Sequence, residues 1–266
     1  MQFIGHACYI SDSIRVRTMA NRRILAIAAI SGVLCAIVES ALAQQAIGST
    51  TTAQNQVTRE LAGATAPLSV GDSVYRSEVV RTGADSLAKL VFLDSTNLAV
   101  GPTSRIVLDR FVYEGNPSGE KVAVGLAKGV FRFTTGSLDK RAYTITTPTA
   151  AIGVRGTVLD IAVRSADTRV TLVEGQALVC PRRSGISFEQ QARNCAKAFG
   201  GAGGRCDCAG LDHPGQTASA RKVGGTTQAS LTSTPVNFAS LCSDPSLCSG
   251  TSYAAAGASG GVLCGR

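Results

Sequence analysis

Nine cysteines are the residues of this 266-residue chain best suited to covalent chemistry. Seven of them, Cys180, Cys195, Cys206, Cys208, Cys242, Cys248 and Cys264, lie towards the C-terminus. The other two, Cys8 and Cys35, lie near the N-terminus. Cys206-x-Cys208-x4-His213 brings two thiols and an imidazole close together, ligand types that suit zinc or copper. The usual two-residue interval between zinc cysteines is missing, however, and no fourth ligand stands nearby. Disulfides are therefore the stronger reading of all seven, and no metal is expected. An odd number leaves one thiol free or paired between chains, which would allow disulfide-linked self-association.

A second candidate is Arg155-Gly156-Thr157. A guanidinium offers five donors in a planar fork suited to carbonyls or a carboxylate. Gly153 and Gly156 on either side allow the backbone to bend and either bury or present it. Two roles follow. Arg155 ties together neighbouring turns within its own domain, which is the favoured reading, or the segment Arg155, Gly156 and Thr157 contacts a partner or an anionic ligand.

Catalytic chemistry has little to draw on. The chain has 2 histidines and no tryptophan. There is no G-x-S-x-G elbow, no H-E-x-x-H and no Walker loop. Gly200 to Gly204 adjoins cysteines rather than joining a strand to a helix, so it is not a phosphate cradle. Asp94, Asp109 and Asp160 could pair in space, but read better as solvated or turn-capping residues. No enzymatic activity and no cofactor are expected. The balance of 26 Lys+Arg against 18 Asp+Glu is basic. These charges are spread singly and aromatics are few, so no nucleic-acid partner is implied. Arg182-Arg183 and Arg221-Lys222 read as solvated surface, with anionic envelope polymers as the alternative.

The compartment follows from the N-terminus. Arg15, Arg17, Arg22 and Arg23 precede an apolar stretch from Ile24 to Val38, and Ala41-Leu42-Ala43 follows. This is the order of a secretory signal, with Met19 a plausible true start. The apolar stretch is shorter than the roughly 20 residues that span a bilayer, so a retained anchor is the weaker reading. Export to the periplasm or the cell exterior is expected, where disulfides persist.

The elements that must position these residues are strands. Leu87 to Leu93, Arg105 to Tyr113, Lys121 to Leu126, Gly129 to Thr134, Tyr143 to Thr146, Thr157 to Val163 and Arg169 to Val173 are short runs rich in Val, Ile, Leu, Thr and Phe. Gly, Pro, Asn and Asp punctuate them. No helical stripe follows the signal. The expected fold is all-β, a short stacked-strand solenoid or a sandwich, with a cysteine- and Gly-rich, mostly irregular C-terminal tail. The expected divisions are a signal peptide over 1–43, a flexible leader over 44–56, a β domain over 57–180 and the tail over 181–266.

Within about residues 65–180 the chain resembles the FecR domain family. The resemblance rests on Val80 to Ser86, on Lys89 to Val100, on the L-x-x-G-x-F-x-F run from Leu126 to Phe133, and above all on Thr146 to Thr157. That last run is similar to the family's TP-x-A-x-x-x-V-R-G-T segment, and Val173-Glu174-Gly175 follows. The resemblance implies a periplasmic or cell-surface β-rich module of the kind that senses transport status and regulates a sigma factor. The sequence departs from such regulators in lacking room for a cytosolic anti-sigma segment before the apolar stretch. The expected function is thus an exported, non-enzymatic module that binds an envelope protein or small ligand in sensing or regulation. The alternative is a structural envelope or surface protein cross-linked through its tail.

Overall fold

The computed structural model describes residues 45–112, 121–137, 143–195, 206–238 and 240. The expected signal peptide, Cys8 and Cys35 lie outside them, as do Cys242, Cys248 and Cys264.

Two rows of strands face one core. The first row runs β3 (Ala64–Pro67), β2 (Val57–Leu61), β5 (Val79–Thr82), β8 (Arg105–Val112), the first half of β9 (Lys121–Thr134), β10 (Tyr143–Thr146), the first half of β11 (Ala150–Val163), the second half of β12 (Asp167–Pro181) and β13 (Ala209–Leu211). The second row runs β4 (Ser73–Tyr75), β1 (Ala46–Gln54), β6 (Leu87–Phe92), β7 (Asn97–Val100), the second half of β9, the second half of β11, the first half of β12, β14 (Thr217–Val223) and β15 (Thr226–Thr232). All neighbours are antiparallel except β9 and β10, which are parallel.

Three long strands therefore serve both rows, so the two sheets are continuous through β9, β11 and β12. Each bends about midway, next to Gly129, Gly156 and Gly175 respectively, where φ is positive. Ile106, Leu126, Ile145 and Ile152 from the first row and Leu90, Leu98, Phe131, Phe133, Leu159 and Ile161 from the second are all buried in one cluster. Phe133 and Tyr143 meet edge to face across the rows, their ring centroids 6.1 Å apart. Burial of each such side chain contributes about 1.5–3 kcal/mol, and this alternation of buried and exposed positions sets the register.

The all-β expectation holds, with two additions. Residues 44–56, expected as a flexible leader, instead carry β1. Ile47, Gly48 and Thr50 are buried there, and β1 pairs with both β4 and β6. Threonine is a good strand former, and its polar composition hides that in sequence. The tail, expected to be mostly irregular, supplies β13, β14 and β15. It also supplies one helix, α1 (Phe188–Asn194). Ser187 and Gln190 cap that helix reciprocally, each side chain accepting from the other's backbone N–H.

Candidate functional site

Arg155-Gly156-Thr157 lies at the corner of β11, where pairing with β10 ends and pairing with β9 begins. The register against β12 slips between Arg155 and Val158, which makes the segment a bulge. Gly156 takes φ +60° there. Directly across, Gly175 of β12 sits at φ +86°, and a Cβ on it would lie 1.9 Å from the Gly156 carbonyl oxygen. The two corners nest, and only glycine fits at 175.

Thr157 locks the corner. It is buried, its Oγ1 accepts from Arg155 N at 2.9 Å, and it donates to the Gln176 carbonyl at 2.7 Å. Its own N–H reaches Thr135 Oγ1 at 2.9 Å. The tie between neighbouring turns, favoured above for Arg155, is thus made by the two threonines. The Arg155 side chain is exposed and has no hydrogen bond or ion pair among the described residues. Gly153, expected to bend the backbone, instead seats α1: a Cβ there would lie 2.2 Å from the Phe188 ring.

The tail is bound back onto this region. Cys180 pairs with Cys208 (S–S 2.09 Å) and Cys195 with Cys206 (S–S 2.14 Å). Cys180 and Cys208 stand one rung beyond the Val179–Ala209 pair of β12 and β13. Leu178, Cys180 and Cys195 form a small apolar cluster with Phe188 and Ala192. The sulfurs of Cys195, Cys206 and Cys208 lie within 4.8 Å of one another. As disulfides they have no thiolate to offer a metal ion. His213 is exposed and bonds to Asp212 at 2.7 Å rather than turning towards those sulfurs, and that bond holds the Asp212 carboxyl below its ordinary range.

Of the three aspartates expected to be solvated or turn-capping, Asp94 and Asp160 are buried rather than solvated. Asp94 is buried and does cap a turn, accepting from Thr96 N at 3.0 Å. It also accepts from Thr96 Oγ1 at 2.6 Å and Tyr143 OH at 2.7 Å. Asp160 is buried in a two-point ion pair with Arg132, at 2.5 and 2.7 Å, and accepts from Phe238 N at 2.9 Å. Arg132 also lies over the Phe238 ring, 5.8 Å from its centre. These two aspartates have separate partners and do not form a pair. The Asp109 side chain lies outside the described residues. Glu78 was not singled out in sequence. It is fully buried, takes Arg59 Nη2 and Tyr75 N on one oxygen, each at 2.8 Å, and leaves Oε1 without a partner. Burial pushes its pKa up, against the pull of Tyr75 N–H and Arg59. Arg182 donates to the Thr147 carbonyl at 3.0 Å and Arg183 pairs with Asp207 at 2.8 Å, while Arg221 and Lys222 are exposed.

Residues 78–178, under half of the chain, match the family model described as FecR protein. The resemblance read from the sequence holds over that segment, which contains the whole Thr146–Thr157 run and Gly175. No curated protein matches the chain. Two crystal structures of a candidate anti-sigma factor from Parabacteroides distasonis ATCC 8503 are similar, each with a TM-score of 0.39 and 11% identity. The match covers 57% of this chain and 59% of theirs, so the chain spans less than two thirds of their length. Among the described residues no helix is long and apolar enough to cross a membrane.

Proposed function

We propose that this protein is an exported, non-enzymatic module that binds a protein or small ligand in the cell envelope, in a sensing or regulatory role. The observation that carries the reading is Arg155. Within the segment that matches FecR, the corner around it is tied by hydrogen bonds through Thr157, yet its guanidinium is exposed with no hydrogen bond or ion pair among the described residues. A locked backbone beneath a free fork of donors is what recognition of a carboxylate or a carbonyl row needs. Export is supported by the basic, apolar and A-x-A order at the N-terminus. It is also supported by two disulfides, which suit an oxidising compartment. The absence of catalysis is supported by the engagement of Asp94, Asp160 and Glu78 in structural bonds.

The test is retention of a partner from an envelope extract on the immobilised full chain, compared with Arg155→Ala. The expected result is one discrete partner that the variant loses while melting within about 1 °C of the parent, as surface substitutions usually do. Reduction-sensitive multimers of the protein itself, with no other partner, would instead establish the cross-linked envelope role. Loss of stability in Arg155→Ala would return Arg155 to a structural part.

A further inference from the structure

A second basic surface appears only once the strands are paired. Arg81 of β5 stands directly opposite Arg105 of β8, and Arg105 directly opposite Lys128 of β9. Arg81 and Arg105 lie on the outer face, because Val80 and Ile106 beside them point into the core, and Lys128, which pairs with Arg105 at a register shift in β9, is exposed as well. Lys128 and Arg164, the latter from the turn after β11, both line an open groove of about 660 Å³. Four cations thus form one row across β5, β8, β9 and the end of β11. Arg81 is paired with Glu60 at 2.9 Å, an exposed contact of little worth. Arg105, Lys128 and Arg164 have no ion-pair partner among the described residues.

Like charges placed opposite one another on a sheet cost stability, so a row of them calls for an external anion. The surroundings narrow the kind of anion. The outward rung next to the row is Val79 and Val107, both half-buried, with Gly125. Apart from its two cations, the groove is lined mainly by apolar groups such as Ala127, Val130, Pro148 and Ala162. A phosphate or sulfate polymer is hydrated throughout and gains nothing from such walls. An extended peptide with alternating acidic and apolar side chains uses both rungs.

We propose that the row Arg81, Arg105, Lys128 and Arg164, with the apolar groove at its end, binds an acidic segment of an extended polypeptide. The proposal goes beyond the partner-binding reading above by assigning a second surface and a partner chemistry. It uses a surface distinct from the Arg155 corner.

The test is fluorescence anisotropy of a labelled alternating Glu–Val octapeptide with the full chain at low salt. The triple variant R105Q/K128Q/R164Q is compared with R221Q/K222Q, which removes two exposed cations elsewhere. Expected are saturable binding, weakening by about tenfold or more in the triple variant, little change in R221Q/K222Q, and steep weakening with added salt. Relief of the like-charge row should leave the melting temperature of the triple variant equal or higher. If that variant does not fold, Arg105→Gln alone should weaken binding about threefold or more. Absence of peptide binding would overturn the proposal. So would equal loss in R221Q/K222Q, or stronger binding of inorganic polyphosphate than of the peptide. Because the probe is synthetic and the chain purified, failure here leaves the capture of an envelope partner through Arg155 standing, and the converse holds.

Discussion

Glu78 stands against the usual logic of a folded protein's carboxylates. Its burial favours the neutral acid, and Arg59 offsets this only in part. Below the ordinary carboxyl value of 4.5, Glu78 is protonated in both folded and unfolded chains, so it confers no pH dependence. As pH rises past 4.5 the unfolded chain releases the proton and the folded one holds it, so folding is penalised more and more until the raised value is passed. Stability contributed here is therefore present at low pH and lost as pH rises. Glu78→Gln, which stands in for the neutral acid, should lack that slope. Melts of parent and variant from about pH 4 to about pH 7 should move in the variant's favour as pH increases. Movement in the parent's favour would mean that the Arg59 charge outweighs burial. Nothing in the sequence pointed to Glu78, because a single glutamate before two valines looks like any strand-entry residue. Its burial depends on Arg59, which reaches it from β2.

At the scale of elements, the corners decide the fold. Gly156 and Gly175 face each other, but their demands differ. A Cβ at 156 meets nothing within 4 Å, so Gly156→Ala should cost only the left-handed backbone strain, about 1–2 kcal/mol. A Cβ at 175 would lie 1.9 Å from backbone, so Gly175→Ala should cost that strain and also force β11 and β12 apart, for a total of about 3 kcal/mol or more. Urea midpoints of the two variants should therefore separate clearly, and equal midpoints would show that the corners do not nest. The strands around these corners were legible where large apolar residues alternate with others, as in β6, β8 and β10. They were illegible where small and hydroxylated residues do the same work, as in β1 (AIGSTTTAQ) and β15 (TTQASLT). Helix α1, at 7 residues, is too short to show a period, although Ser187-x-x-Gln190 carried its capping signal. The cationic row escaped for a different reason. Arg81, Arg105, Lys128 and Arg164 are scattered singly along the chain, and only strand register lines them up.

For the whole molecule, the question is how the tail is held to the strands. Its most extensive contact is β14, which pairs with β12 over five positions and places Ala218 and Ala220 in the main core. Around α1 the contacts are fewer, with Phe188 against Gly153 and the short β13 beside β12, and Phe238 returns to the Asp160–Arg132 pair. The two disulfides close nested loops, Cys180–Cys208 with a separation of 28 residues and Cys195–Cys206 with a separation of 11. Chain-entropy arithmetic gives about 3.6 kcal/mol for the outer loop alone and about 2.8 for the inner, the two being less than additive because one lies inside the other. None of the four cysteines belongs to the main core cluster. Opening both bonds should therefore weaken the molecule without abolishing its strand core. Reduction and alkylation, verified by thiol count, should lower the melting temperature by roughly 7–15 °C, as expected for a loss of this size in a chain of this length. Trypsin should then cut first at Arg182, Arg183 and Arg193, around α1, while Arg132, held by Asp160 in the core, stays protected. An unchanged melt after complete reduction would show that strand pairing and the Phe188 seat already hold the tail by themselves. Early cleavage at Arg132 would show that the disulfides brace the core as well as the tail.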